Sequence, residues 1–147
     1  MDTNLTFTEA SSDSDFVLVL EKGDDVTESL KKLAKEENLS GFFMGIGAVA
    51  DPTIGYFDVE KKQYLKMELK GSFEVLGLTG NISFLPDGEP FVHAHIILGD
   101  SNHKVLGGHL FSAKVSITLE LLILRTQKLL REKNPEFDLW LISGAEE

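Results

Sequence analysis

Three of the four histidines are spaced so that their side chains could hold a metal ion. His93 and His95 are separated by one residue, and a β-strand puts such residues on one face because its successive side chains alternate. His109 lies on the next β-prone segment and can face them if the two segments form a hairpin. Three neutral imidazoles on neighbouring strands can bind zinc or a related divalent ion and leave a fourth coordination position open. The alternative is a structural role, in which each histidine only makes hydrogen bonds within a sheet or an interface.

The turn between the two segments determines how these histidines meet. Residues 100–102 are the turn-forming trio Asp-Ser-Asn, and a tight turn there predicts three pairs: Gly99 with His103, Gly107 with His95, and His109 with His93. A register shifted by one residue would move His109 to the opposite face. His103, the fourth histidine, is expected at the surface of the turn and outside the metal site.

The composition excludes several kinds of site. The 147 residues include no cysteine, which removes disulfides, thiolate catalysis and cysteine-bound zinc and suits a reducing compartment. The net charge is -10 at pH 7. Affinity for nucleic acids comes largely from Lys and Arg side chains that neutralise phosphates. We therefore expect weak or no binding to duplex DNA.

The sequence also indicates a cytoplasmic protein without a membrane anchor. Residues 1–14 are polar and acidic, and they lack the basic start and apolar stretch of a signal peptide. No apolar run approaches the roughly 18 residues that span a bilayer. We expect a polar N-terminal arm (1–14), a single domain (15–142) and a short acidic tail (143–147).

One segment has the pattern of an amphipathic helix. In DDVTESLKKLAKEENLSG (24–41), Val26, Leu30 and Leu33 recur at helical spacing, and Asp25 with Glu28 has the spacing of a capping box. Most of the remaining chain has β-strand patterns, whereas TQKLLREKNPEF is polar and predicts a connector or a short helical turn. The predicted fold is α+β, with one N-terminal helix packed on a mostly antiparallel β-sheet.

A glycine motif raises the question of nucleotide binding. Gly45-Ile-Gly47-Ala-Val-Ala50 matches G-x-G-x-x-A, but a dinucleotide site needs this motif to open a helix. Here Asp51 and Pro52 follow, and then a β-rich stretch. The glycines are better explained as positions where strands bend or pack closely.

Several segments resemble, in the same order, the PPC (plant and prokaryote conserved) domain family, also called DUF296. These segments are SGFFMGIGAVADPTIGYFD, GSFEVLGLTGNIS, PFVHAHIILGDSNHKVLGGHL and LREKNPEFDLWLI. The resemblance implies an α+β domain that assembles into homotrimers. Plant members carry AT-hooks, but this sequence has no Arg-Gly-Arg-Pro core, so their DNA contact does not carry over. Stand-alone prokaryotic members, which this chain resembles, are often called predicted DNA-binding proteins.

The resemblance also implies roles for particular residues. The family's partner-contact pattern corresponds to Gly71, Phe73, Glu74, Val75 and Leu76. Its His-x-His and Gly-Gly-His elements correspond to His93, His95 and His109. Prokaryotic relatives use these elements to bind a metal ion, so the resemblance implies that the three histidines are metal ligands.

Three functions follow as alternatives. The first is a trimeric module that binds a metal, zinc above all, together with a small ligand or a partner. The second is a metal-dependent enzyme in which the ion activates a water molecule and Glu74 serves as general acid or base, although an exposed or interface carboxylate is the simpler role for Glu74. The third is a DNA-binding or transcription-associated protein, which the charge disfavours.

Overall fold

The computed structural model describes residues 6–9 and 15–146, and this part of the chain forms nine β-strands and one α-helix. Part of the predicted arm is strand β1, and its other residues, 1–5 and 10–14, lie outside the described residues. In chain order the elements are β1 (Thr6–Glu9), β2 (Phe16–Glu21), α1 (Val26–Glu37), β3 (Gly41–Asp58), β4 (Gln63–Glu68), β5 (Ser72–Phe84), β6 (Pro90–Gly99), β7 (Val105–Arg125), β8 (Lys128–Asn134) and β9 (Leu139–Glu146).

Four antiparallel strands pair in a closed cycle at the centre of the sheet. β7 pairs with β3, β3 with β5, β5 with β6, and β6 again with β7. β2 extends the sheet from β7, and β4 pairs with the far end of β3. β8 joins β5 through one parallel pair, Phe84 with Leu130, and pairs with β9 in antiparallel fashion. The prediction of a mostly antiparallel sheet is therefore confirmed.

Helix α1 lies where the sequence predicts it, but its description as N-terminal needs correction. Two strands precede it, so it is the third element of the chain. The Asp25 carboxylate accepts a hydrogen bond from the Glu28 backbone N–H at 3.0 Å, which caps the first turn. Leu30 and Leu33 are fully buried, because the helix covers the inner face of β5, β6 and β7.

The glycine motif lies inside β3 and does not open a helix. A Cβ atom built at Gly45 would clash with the backbone carbonyl oxygen of Glu120, and one at Gly47 would clash with that of Thr118. The glycines thus allow β3 and β7 to approach closely, as the sequence indicates.

The prediction of a connector or short helical turn for TQKLLREKNPEF is wrong, because Lys128–Asn134 forms strand β8. Its polar sequence conceals a buried Arg131, which donates hydrogen bonds to Ser83 and Asn81 on β5 and to the Trp140 carbonyl on β9. These bonds let a charged residue point inward, so the strand does not show the apolar alternation of a typical sheet strand.

Candidate metal centre

The β6–β7 hairpin brings the histidines together, but in a register two residues from the predicted one. The observed pairs are Gly99 with Val105, Ile97 with Gly107, and His95 with His109. The prediction that His109 lies opposite His93 is therefore wrong. The loop takes up two more residues because the Asp100 carboxylate accepts hydrogen bonds from the backbone N–H groups of Asn102 (2.8 Å) and Lys104 (2.9 Å). A shift of two keeps every side chain on its predicted face.

The three imidazoles converge on one point of the sheet surface. One ring nitrogen from each of His93, His95 and His109 lies within 4.8 Å of the others. The Nε2 atoms of His93 and His95 are 3.3 Å apart. Two nitrogens bound to one tetrahedral zinc at 2.0–2.1 Å are separated by about 3.3–3.4 Å. The chemistry and spacing of these donors therefore fit a single divalent ion, whereas His103 lies in the exposed loop.

Tyr64 and Phe111 hold His109 in place. The Tyr64 hydroxyl on β4 lies 3.5 Å from Nδ1 of His109, and the two ring centres are 4.7 Å apart. The centre of the Phe111 ring lies 4.6 Å from that of the imidazole and 5.0 Å from that of Tyr64, so the three rings contact one another. Metal-binding histidines commonly use their second nitrogen for such a contact, which fixes the ring orientation. Here that arrangement leaves Nε2 of His109 for an ion.

Electrostatics favour the neutral, metal-binding form of two of the histidines. The pKa of His109 is lowered to about 4, chiefly by burial and to a lesser extent by the neighbouring His93, His95 and Lys66. The pKa of His93 is also lowered, first by burial and then by His95 and Arg131. Both imidazoles are therefore uncharged at neutral pH and can donate a lone pair to a cation.

Glu74, the proposed acid or base, lies away from this cluster. It pairs with Gly99 of β6, whereas His95 pairs with Thr79. Four residues along a strand correspond to about 13 Å. The group of possible metal ligands contains no carboxylate within the described part of the chain.

The partner-contact segment that the resemblance implies begins at Gly71, which has a φ of 94°, and continues into β5. Val75 is buried and Phe73 packs against the core. Glu74 is exposed, and Leu76 is 51% exposed. Only these last two side chains are well placed to meet a partner.

An apolar surface adjoins the histidines. Phe42, Met44 and Ile46 alternate along β3 and are 48%, 53% and 59% exposed. Directly paired residues share a face of the sheet, and Met44 pairs with Thr79, which pairs with His95. We name Phe42, Met44 and Ile46 the β3 apolar face, and it continues into the metal centre.

A cavity of about 310 Å³ opens on the other side of the cluster, beyond the last pair between β6 and β7. Arg131 and Tyr64 line it together with His93 and His109. Sequence reasoning missed both of these residues as site residues. Arg131 stood in the supposed connector, and Tyr64 reaches His109 only through strand pairing that spans 45 residues.

No helix in residues 6–9 and 15–146 is long and apolar enough to cross a membrane.

The sequence and the fold both match known proteins. The family model of the Plants and Prokaryotes Conserved (PCC) domain matches residues 7–127. A plant- and prokaryote-conserved (PPC) protein from Pyrococcus horikoshii is 33% identical with a TM-score of 0.81, and each chain is covered completely. A metal-containing protein from Archaeoglobus fulgidus is 32% identical with a TM-score of 0.80, covering 98% of this chain and 99% of that one. A Bacteroides thetaiotaomicron protein whose name suggests DNA binding is 26% identical with a TM-score of 0.87, and the match covers 95% of this chain and 96% of that one.

A match to a curated protein covers a smaller region. The chain is 31% identical over 97 residues to the bifunctional protein GlmU of Synechococcus sp. (strain JA-3-3Ab). These residues are 65% of this chain, and the chain spans only 14% of the length of that relative.

Proposed function

This chain belongs to the Plants and Prokaryotes Conserved (PCC) domain family, and from that premise we propose that it is a homotrimeric module with a zinc site. His93, His95 and His109 would hold the ion, and its open coordination position would take a small ligand. When bound, zinc would act as a Lewis acid at that position. The absence of cysteine suits the reducing cytoplasm, where we place this function.

The observation that carries the proposal is the 3.3 Å separation between the Nε2 atoms of His93 and His95, with His109 within reach. The lowered pKa values of His93 and His109 support it, because zinc competes with protons for the same lone pairs. A relative that is 32% identical is described as metal-containing, which agrees with such a site.

The assembly part of the proposal is supported by exposed apolar side chains. The β3 apolar face exposes about half of each of its three side chains, and surfaces of this kind commonly mark interfaces. The segment with Gly71, Phe73, Glu74, Val75 and Leu76 offers a separate contact for a protein partner, through its two exposed side chains.

DNA binding is a second candidate because the names of structural relatives suggest it. The net charge of -10 opposes it in this chain, since few cations are available to replace the counterions of DNA. An enzymatic role has less support, because Glu74 lies about 13 Å along the sheet from His95.

Zinc titration of metal-free protein by calorimetry tests the proposal. We expect saturable binding of one zinc per chain. His95→Ala should weaken it by more than about 100-fold, because losing a ligand costs more than the 10–100-fold typical of changes around the ligands. His103→Ala is the matched control and should bind as the unchanged protein does. Absence of saturable binding would refute the metal site.

A further inference from the structure

We infer that the cavity beside the histidines binds a small carboxylic acid with an apolar body, and that the Arg131 guanidinium holds its carboxylate. This inference names the ligand of the module proposed above and rests on that function. It is carried by a buried cation that has no acidic partner and by the aromatic lining of the cavity.

Arg131 is only 4% exposed, yet all its hydrogen-bond partners are neutral. Nε donates to the Ser83 hydroxyl (2.6 Å), Nη1 to the Trp140 carbonyl (2.6 Å) and Nη2 to the Asn81 side-chain oxygen (2.7 Å). A guanidinium has five N–H donors, so two remain. In the described ranges no carboxylate lies within 4.0 Å of it. A buried charge without a counter-charge is costly, and an anionic ligand would supply one.

The charged groups around the cavity leave it cationic. Asp138 lines the cavity, but its carboxylate pairs with Lys133 at 3.0 Å. Lys31 also lines it and contacts Glu28 at 3.4 Å, with both side chains well exposed. Arg131 therefore remains without a compensating carboxylate, beside histidines that would carry a dication. This positive site stands out in a chain with a net charge of -10.

The rest of the lining suits an apolar group. The cavity measures about 310 Å³, within the lower range of sites for small organic ligands. Phe91, Phe111, Trp140 and Leu141 contribute to its wall, and the Arg131 guanidinium stacks 4.6 Å from the centre of the Phe91 ring. A single aromatic ring with one carboxylate matches this combination of aromatic wall and fixed cation.

Calorimetric titration of the zinc-loaded full chain with benzoate tests the inference. We expect saturable binding of benzoate, and binding of the neutral analogue benzyl alcohol at least about tenfold weaker because it lacks the charge-assisted hydrogen bonds. Arg131→Gln should weaken benzoate binding by a similar factor. Arg125→Gln, the same change at the other arginine of the chain, should leave it unchanged.

The outcomes separate this inference from the metal proposal. Zinc binding without benzoate binding, or equal binding of benzoate and benzyl alcohol, overturns the carboxylate site and leaves the metal site intact. If zinc does not bind, the metal proposal fails, and benzoate binding to the metal-free chain then decides the inference alone. The comparison of benzoate with benzyl alcohol is made on the unchanged protein both with and without zinc, so it holds even if Arg131→Gln fails to fold. A preference for benzoate that appears only with zinc would assign the carboxylate to the metal and overturn the role of Arg131.

Discussion

At the residue scale, the low pKa of His109 determines the protonation state of the metal-free site: at neutral pH this imidazole is uncharged. Burial removes water from the imidazole and so disfavours its charged form, and nearby cationic groups act in the same direction. A site built this way does not have to expel a proton from His109 before it binds a metal at neutral pH.

NMR titration of the metal-free protein should therefore give His109 a pKa near 4, well below the model-peptide value of 6.5. Lys66→Gln should raise this pKa, because it removes a positive charge that acts on the imidazole. His103→Ala should leave it unchanged. A measured pKa at or above 6.5 would contradict the burial argument.

The same shift has a consequence for stability. Between about pH 6.5 and 4 the unfolded chain binds a proton at this histidine and the folded chain does not. The contribution of His109 to the stability of metal-free protein is therefore present above pH 6.5 and lost progressively as the pH falls towards 4. Chemical denaturation across this pH range measures it.

Only those features of the site that depend on the alternation of side chains along a β-strand could be predicted from the sequence. One intervening residue puts His93 and His95 on the same face, and any even register adds His109. Arg131 and Tyr64 were not predictable in this way, because long-range strand pairing brings them to the site. Their sequence neighbours give no sign of a shared cavity.

At the element scale, local capping signals predicted the helix, whereas the loop between β6 and β7 limited the prediction of how these two strands pair. Asp25 and the apolar spacing of Leu30 and Leu33 fix helix α1 from neighbouring residues alone. The β6–β7 register depended on how many backbone N–H groups the Asp100 carboxylate would bind, and it binds those of Asn102 and Lys104. Sequence spacing does not reveal that choice.

Close approach of β3 and β7 leads to a prediction about Gly45. In Gly45→Ala, the new Cβ would clash with the Glu120 carbonyl oxygen and with the Leu121 side chain. We expect a loss of about 1–3 kcal/mol in the free energy of unfolding, as is typical of overpacked interiors. Urea denaturation of the two proteins measures the difference.

Gly144→Ala in β9 is the matched control. A Cβ at Gly144 has no heavy atom within 4 Å, so its effect should stay within about 0.5 kcal/mol. Equal stability of the Gly45 and Gly144 variants would show that β3 and β7 can move apart without cost, against the close-packing explanation of the glycine motif.

At the scale of the whole molecule, the β3 apolar face and the metal centre lie on one continuous surface. Met44 and His95 share the face of Thr79, which pairs with both. The part of this surface that joins Met44 to His95 is built from β3, β5 and β6. Assembly through the face would therefore bury apolar area next to the zinc ligands and shield them from water.

Light scattering should accordingly give a mass three times the 16.3 kDa of the chain at micromolar concentration, as the proposed trimer requires. Met44→Asp should shift the mass towards that of a single chain, because an unpaired carboxylate is costly to bury in an apolar interface. Val59→Asp is the control: Val59 is similarly exposed, at 58% against 53% for Met44, but it lies in the turn after β3. It should leave the mass unchanged. A single-chain mass for the unchanged protein would refute the trimer. Dissociation by Val59→Asp but not by Met44→Asp would move the interface to the far end of β3, away from the histidines.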